Sequence, residues 1–399
     1  MMLVGIVGKA NVGKSTFFKA LTLVNVEIAN YPFTTLKPNH GIAHVRVESV
    51  GKEFNLKENP KSGFVLGNYR FVPFEILDVA GLVPGAHKGR GMGNQFLDDL
   101  RQADALIHVV DISGSTNENG EPVPLGSYDP INDVIFLEEE IDLWYLQILN
   151  RSWESFSKKV HLERKEAFKE IAKQFSGLKI TEQDVKSVIE SLKLDNDILR
   201  WRESDLFEFT KMLRRKTKPI IIAANKSDCK NAEENINRIK QRFPNLVIIP
   251  CSAESELALR EAANHKLIDY IPGESDFKII NPENLSKEQL TALNFIRENV
   301  LKRFGSTGVQ QVVDYAVFNV LQQIAVFPVA NSKLEDSQGN VLPDCFLVPK
   351  GSTVLEFAYK VHTSFGENFI RAVDLRTKMI IGKEHVLKHR DIVQIIAEK

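Results

Sequence analysis

The run Gly8–Lys9–Ala10–Asn11–Val12–Gly13–Lys14–Ser15 has the residue types and spacing needed to hold a polyphosphate. Glycines let a tight loop aim its N–H groups at phosphate oxygens, and a helix N-terminus behind the loop adds positive partial charge. Lys14 would reach the β- and γ-phosphates, and Ser15 would offer its hydroxyl to Mg2+. An apolar run, Leu3 to Val7, precedes the loop, and a helix-like segment, Thr16 to Leu23, follows it. That strand–loop–helix setting is what the Walker A pattern requires. A glycine-rich turn with a surface lysine would explain neither flank. Asn11, Val12, Gly13, Lys14, Ser15 and Thr16 are thus the phosphate-side candidates.

Three later segments could complete a nucleotide site. Asp78–Val79–Ala80–Gly81 follows the apolar run Phe71 to Leu77. A carboxylate there can hold Mg2+, and Gly81 would let the backbone approach the γ-phosphate. Asn225–Lys226–Ser227–Asp228 follows a second apolar run, Pro219 to Ala224, and resembles the guanine-specificity motif NKxD. The Asp228 carboxylate would accept two hydrogen bonds from guanine N1–H and N2–H2, a pair adenine does not offer. Lys226 would lie along the base plane, and Asn225 would tie this loop to the phosphate loop. Cys251–Ser252–Ala253 follows Leu246 to Ile249, and the Ala253 N–H would meet guanine O6. Asx caps and Ser-Ala pairs are common alone; their order along the chain gives them weight. Between the first two motifs, Asn30 to Asn39 reads as a loop ordered by nucleotide. Thr35, with Thr34 second, is expected there as a Mg2+ ligand and sensor of the γ-phosphate.

The elements that must position these loops are apolar strands alternating with helices. Leu3 to Val7, Phe71 to Leu77, Ala105 to Val110, Pro219 to Ala224 and Leu246 to Ile249 read as strands of one buried sheet, which makes the fold α/β. The chain has 399 residues, enough for two or three domains, and 43 % apolar residues, enough for a core. A net charge of −1 gives no global pull toward nucleic acid or membrane. Three scattered cysteines form no metal or redox pattern and fit a reducing compartment. No run is long and apolar enough to span a bilayer, and the immediate entry into a strand leaves no room for a signal peptide. A cytoplasmic protein is expected.

Asp111 to Tyr128, rich in Ser, Gly, Asn and Pro, reads as a long surface loop. Asp133 to Lys216 reads as helical, with Ile135, Leu137, Ile141 and Trp144 spaced for one apolar face. Trp144, Trp153 and Trp201 read as packing residues. Two basic groups, Lys158/Lys159/Arg164/Lys165 and Arg214/Arg215/Lys216, are either solvated helix faces or contacts for RNA phosphate. Ile271 to Asn284 reads as a linker, and Lys287 to Arg303 and Val309 to Gln323 as bracing helices. Strands are expected at Phe346 to Val348, Phe369 to Val373, Lys378 to Ile381 and Ile392 to Ile396.

Taken together, these residues resemble the Obg/DRG/YchF superfamily of GTPases. The resemblance rests on Asn30–Tyr31–Pro32–Phe33–Thr34–Thr35, on the whole run from Asp78 to Asp111, and on Asn11 within the phosphate loop. A second match, Val348 to Val354 followed by His362 to Phe369, resembles a TGS domain, a small ubiquitin-like β-grasp module. The nearest likeness is to archaeal YchF-like proteins. It implies an Obg-type G domain at 1–132 and 217–272, a helical insertion at 133–216, a linker with bracing helices at 273–324 and a TGS domain at 325–399. Many YchF-type proteins carry NxxE and resemble ATPases, whereas this chain keeps Lys226 and Asp228, which argues for GTP. The resemblance also implies a ribosome or RNA partner for the insertion and the TGS domain, and K+ beside Asn11 in addition to Mg2+.

Hydrolysis is expected to be slow. The position after Gly81 that carries a water-orienting glutamine in Ras-like enzymes is Leu82. Thr35, His87 or a group supplied in trans would have to position the water, with Lys14 and Gly81 at the γ-phosphate. His108 lies inside a strand and reads as a core histidine. Lys88 and Arg90, beside His87, read as loop charge or as phosphate or partner contacts. The expected protein is a slow GTP-hydrolysing switch. The alternatives are an ATPase of YchF type and a scaffold stabilised by its nucleotide.

Overall fold

The computed structural model of the protein describes residues 2–23, 39–79, 81 and 93–398. In chain order its first elements are β1 (Leu3–Val7), α1 (Lys14–Thr22), β2 (His40–Glu48), β3 (Phe64–Leu66), β4 (Tyr69–Asp78), α2 (Gly93–Gln102) and β5 (Ala105–Asp111). Five helices follow: α3 (Ile131–Asn150), α4 (Trp153–Leu162), α5 (Ala167–Gln174), α6 (Glu182–Leu192) and α7 (Glu203–Thr217). Then come β6 (Ile220–Asn225), α8 (Ala232–Arg242), β7 (Val247–Pro250), α9 (Ala253–Asn264), β8 (Ile268–Asp269) and β9 (Lys278–Ile279). The remainder is α10 (Lys287–Ile296), α11 (Lys302–Phe304), α12 (Val309–Tyr315), β10 (Gln323–Val329), β11 (Phe346–Pro349), α13 (Val354–Val361), α14 (Thr363–Glu367), β12 (Phe369–Asp374), β13 (Met379–Ile381) and β14 (Ile392–Ala397). The chain divides into two compact units: Met1–Phe18, Ile76–Ser255 and Glu298–Gly308 form one, and Lys19–Glu75, Glu256–Arg297 and Val309–Lys399 the other.

In the first unit the strand order is β1–β5–β6–β7. The β1–β5, β5–β6 and β6–β7 pairs are parallel. Every residue of β1, β5 and β6 is buried, which is why these strands read as continuous apolar runs rather than alternating ones. Parallel register carries Val7 to His108 and Asp111 to Asn225, so the carboxyl ends of β1, β5 and β6 reach one edge of the sheet. Ligand loops in open α/β sheets gather at that edge.

The helical insertion does not fold around a core of its own. Trp144, Tyr145, Phe175, Val185 and Phe209 belong to one apolar cluster with Leu3, Leu106, Ile222 and Ile248 of the strands. Each such side chain, fully buried, contributes about 1.5–3 kcal/mol. Trp153 and Trp201 stack at 5.7 Å, as packing residues do. Arg214 on α7 is buried between Asp142 (Nε–Oδ1 2.6 Å) and Glu138 (Nη2–Oε1 3.0 Å) on α3, a charged bracket inside the helix pair.

In the second unit β2 and β3 flank β4, and β3 pairs it antiparallel from Phe64↔Phe71 to Leu66↔Tyr69. The C-terminal sheet runs β11–β10–β14–β12–β13, with β10 parallel to β14. Helix α13 packs Val354 and Phe357 onto one face of it. Its start is set by Thr353, whose hydroxyl accepts from the Glu356 N–H while Glu356 accepts from the Thr353 N–H. Two expectations need correction. Gln323, expected to close a bracing helix, instead opens the strand Gln323–Val329 of this sheet, and Lys278–Ile279 within the expected linker is a strand, β9, that pairs with β8.

Candidate nucleotide site

The loop after β1 is bent by backbone that few residues adopt. Asn11 has φ 60° and Gly13 φ 95°. A Cβ on Gly13 would lie 2.3 Å from Asn225 Nδ2, so only glycine fits that approach. Lys14 opens α1, and its Nζ donates to the Lys9 carbonyl at 2.7 Å. A Cβ on Gly81 would lie 3.9 Å from the same Nζ, which brings the strand-end glycine beside the lysine. Burial lowers the Lys14 pKa, and Asp78 opposes that shift.

Asp78 ends β4, and the next residue is tied to β1 by Val79 N donating to Ile6 O at 3.0 Å. Burial raises the Asp78 pKa; Lys14 lowers it and Asp99 raises it further. Its Oδ1 is buried with no hydrogen-bond partner among the described residues. An orphaned carboxylate oxygen near a phosphate loop is what a hard cation would satisfy. Ser15, exposed at the start of α1, supplies a second oxygen of the same chemistry. The residues present therefore fit Mg2+. Among the described residues no group of three or more His, Cys, Asp or Glu side chains could hold a metal on its own.

The base-side loops interlock with the phosphate side. Asn225 Nδ2 donates to Val12 O at 2.8 Å, and its Oδ1 accepts from the Ala253 N–H at 2.9 Å. The N–H expected at guanine O6 is thus engaged by Asn225. Asp228 Oδ1 accepts from Ser252 Oγ at 2.9 Å, which orients the carboxylate. Lys226, at φ 62°, donates to Asp111 Oδ2 at 2.9 Å and to Ser115 Oγ at 3.1 Å. Burial works to raise the Asp111 pKa, yet hydrogen bonds from Ser113, Lys226 and Ser115 hold it below its ordinary value. The segment Glu298–Gly308 backs both loops. Arg303 Nη1 donates to Cys229 O at 3.2 Å, and Ser252 N donates to Thr307 O at 2.9 Å.

Sequence reasoning missed the role of 111–128. Far from lying on the surface throughout, the loop buries Ser113, Thr116 and Gly120. Thr116 O accepts from Lys9 Nζ, and Gly120 O accepts from Asn11 Nδ2. The signal available was Asp111 followed by Ser113, Ser115 and Thr116, hydroxyls spaced to satisfy one carboxylate. His108 is buried in β5, and burial drives its pKa down to about 3, so the imidazole stays neutral. The basic groups of the insertion are largely paired: Lys158 with Glu154, Lys165 with Glu163, Arg214 with Asp142 and Glu138, and Lys216 with Asp184. Thr34, Thr35, Leu82, His87, Lys88 and Arg90 lie outside the described residues.

The strand order and the placing of Lys14 beside Asp78 are those of a P-loop nucleotide-binding protein. Comparison with known proteins narrows this class. Residues 3–138 match the 50S ribosome-binding GTPase family. Residues 223–331 match the G4 motif-containing domain of YGR210-like Obg-like GTPases, and 338–397 the TGS domain. An uncharacterized GTP-binding protein of Methanocaldococcus jannaschii is 48 % identical over 398 residues, covering 100 % of this chain and 99 % of its own. The ribosome-binding ATPase YchF of Bacillus subtilis is 34 % identical over 274 residues, 66 % of this chain and 69 % of its own. The crystal structure of a GTP-binding protein from Pyrococcus horikoshii superposes with a TM-score of 0.79 at 38 % identity, covering 100 % of both chains. The chain belongs to the YchF/Obg-like family of P-loop GTPases with a C-terminal TGS domain.

Proposed function

We propose that this chain binds GTP with Mg2+, hydrolyses it slowly to GDP and phosphate, and acts as a molecular switch in the cytoplasm. The observation that carries the guanine reading is Asp228, a carboxylate oriented by Ser252 beside an Asn225 that joins the base loop to the phosphate loop. Guanine can donate twice to that carboxylate, and adenine cannot. Lys14 would turn from the Lys9 carbonyl toward the β- and γ-phosphates, and Gly81 would leave room for the γ-phosphate. Ser15, Asp78 and Thr35 would hold Mg2+. When bound, the ion neutralises charge on the phosphate oxygens.

Thr35 and His87 are proposed to position the attacking water. Asn11 is proposed to face K+ as well. Its amide nitrogen is engaged by Gly120, and its oxygen has no hydrogen bond among the described residues. Equal turnover in KCl and NaCl at matched ionic strength would remove that ion. The ribosome is proposed as partner because relatives carry the name ribosome-binding ATPase. The paired charges of the insertion shift the weight for any such contact toward the TGS domain.

Calorimetric titration with GTP and ATP tests the reading. The expected result is a preference for GTP that Asp228→Asn abolishes. One observation favours ATP instead: the Ala253 N–H is already bonded to Asn225, which leaves guanine O6 without its expected donor. Tighter ATP binding, unaffected by Asp228→Asn, would establish that alternative.

A further inference from the structure

The phosphate loop is held from behind by a buried ion pair that the hydrolysis scheme does not use. Lys9 Nζ lies 2.8 Å from Asp133 Oδ1, and both side chains are 5 % exposed. The same Nζ donates to Thr116 O at 2.9 Å and sits 3.9 Å above the Tyr128 ring. Asp133 is in the first turn of α3, the first helix of the insertion. A lysine on a glycine-bent loop could extend into water at no cost. Burying it with a carboxylate brings little net stability, because desolvation offsets most of the attraction. What the pair does is geometric.

Two further contacts brace Ala10 and Asn11, the neighbours of Lys9. Asn11, strained at φ 60°, donates to Gly120 O at 2.9 Å. Gly120 stands so close to Ala10 that a Cβ on it would lie 2.7 Å from the Ala10 carbonyl oxygen. A backbone in a sparsely populated conformation persists only when its surroundings over-determine it. Here Lys9, Ala10 and Asn11 are each fixed from the 111–133 segment. The Lys9 carbonyl in turn receives Lys14. The path from Asp133 to the nucleotide-binding lysine is therefore side chain, Lys9 peptide, Lys14.

We propose that Asp133 is a positioning residue for the phosphate loop, through which the first turn of the helical insertion sets how long the nucleotide stays bound. The inference rests on the nucleotide-site reading above, but not on which base is preferred. It makes α3 a lever: displacing its first turn would release Lys9 and loosen the grip on phosphate.

The test is the dissociation rate of mant-GDP and mant-ADP from the full chain in Mg2+. Asp133→Asn and Lys9→Met are each expected to release the better-held nucleotide about tenfold faster, the size of an ordinary pairwise coupling. The double variant should be no faster than either single one, and Asp133→Glu should recover part of the loss. Val188→Ala, in the insertion core, controls for general loosening and should lower the melting temperature without changing release. Folded Asp133→Asn with a wild-type rate, or additive effects in the double variant, would overturn the proposal. Equal acceleration by Val188→Ala would do the same by reducing Asp133 to a structural role. A wild-type chain that holds neither nucleotide would overturn both this inference and the nucleotide-site reading, whereas tighter mant-ADP binding would overturn only the guanine reading.

Discussion

Asn225 Nδ2 and Val12 O, 213 positions apart in the chain, are joined at 2.8 Å. The bond spans from the end of β6 to the middle of the phosphate loop, and the other end of the same amide takes the Ala253 N–H. One side chain therefore registers the phosphate, base and Ser-Ala loops against each other.

Replacing that amide should cost nucleotide affinity as well as stability. Asn225→Ala leaves Val12 O and Ala253 N unpaired, each a penalty of about 1–3 kcal/mol. A rise in Kd of about tenfold or more is expected by calorimetry. Gly13→Ala should mimic it, because the added Cβ would meet Asn225 Nδ2 at 2.3 Å. Wild-type affinity in either variant would show that the loops hold their register without the amide.

Asp78 should govern the response to Mg2+. Its orphaned Oδ1 predicts that Asp78→Asn keeps nucleotide binding in EDTA but loses the tightening that Mg2+ brings. Ser15→Ala should do the same more weakly. The ratio of nucleotide release rates in Mg2+ and EDTA is the measurement, and an unchanged ratio would remove Asp78 from the metal site.

Arg214 should be costly to remove. Arg214→Met leaves Asp142 buried without its cation and Glu138 with only Arg215 at 3.6 Å, a loss of about 3–5 kcal/mol. Because the insertion and the sheet share one apolar cluster, urea unfolding of the variant should keep insertion and nucleotide site in one transition. Separate transitions would mean that the shared core is not cooperative.

Lys218, at the junction of α7 and β6, gives a pH signature. Its Nζ is buried and donates to Ala103 O, and burial lowers its pKa to about 8. The unfolded chain thus binds more protons between about pH 8 and 10.5, so this group makes stability rise with pH across that window. Lys218→Met should remove the rise and leave the protein about 1–3 kcal/mol more stable at pH 7, less the lost hydrogen bond. A pH profile of unfolding unchanged by the substitution would contradict this assignment.

Much of the site could be read from local chemistry. A glycine-bent loop between an apolar strand and a helix, a carboxylate at the end of Phe71 to Leu77, and NKSD at the end of Pro219 to Ala224 each carry their physical reason within a few residues. The TGS strands other than β10 were legible for the same reason. Gln323–Val329 was not, because a short apolar run after a helical pattern fits either state, and only its pairing with β11 and β14 decides. The 111–128 loop misled because polar residues usually mean solvent, whereas here their hydroxyls satisfy buried Asp111.

The sequence by itself determined that a glycine-rich loop ahead of a helix, then Asp78, then Asn225–Lys226–Ser227–Asp228 follow apolar strands in that order, the pattern a nucleotide site requires. Periodicity and backbone sterics act over a few residues, so they can be read there. Tertiary structure alone decided that Lys9 meets Asp133, that Asn225 meets Val12 and that Arg214 meets Asp142. These partners lie 124, 213 and 72 positions apart, and no local pattern marks one as belonging to the other. Only the packing of parallel strands and their crossover helices brings them within hydrogen-bond reach.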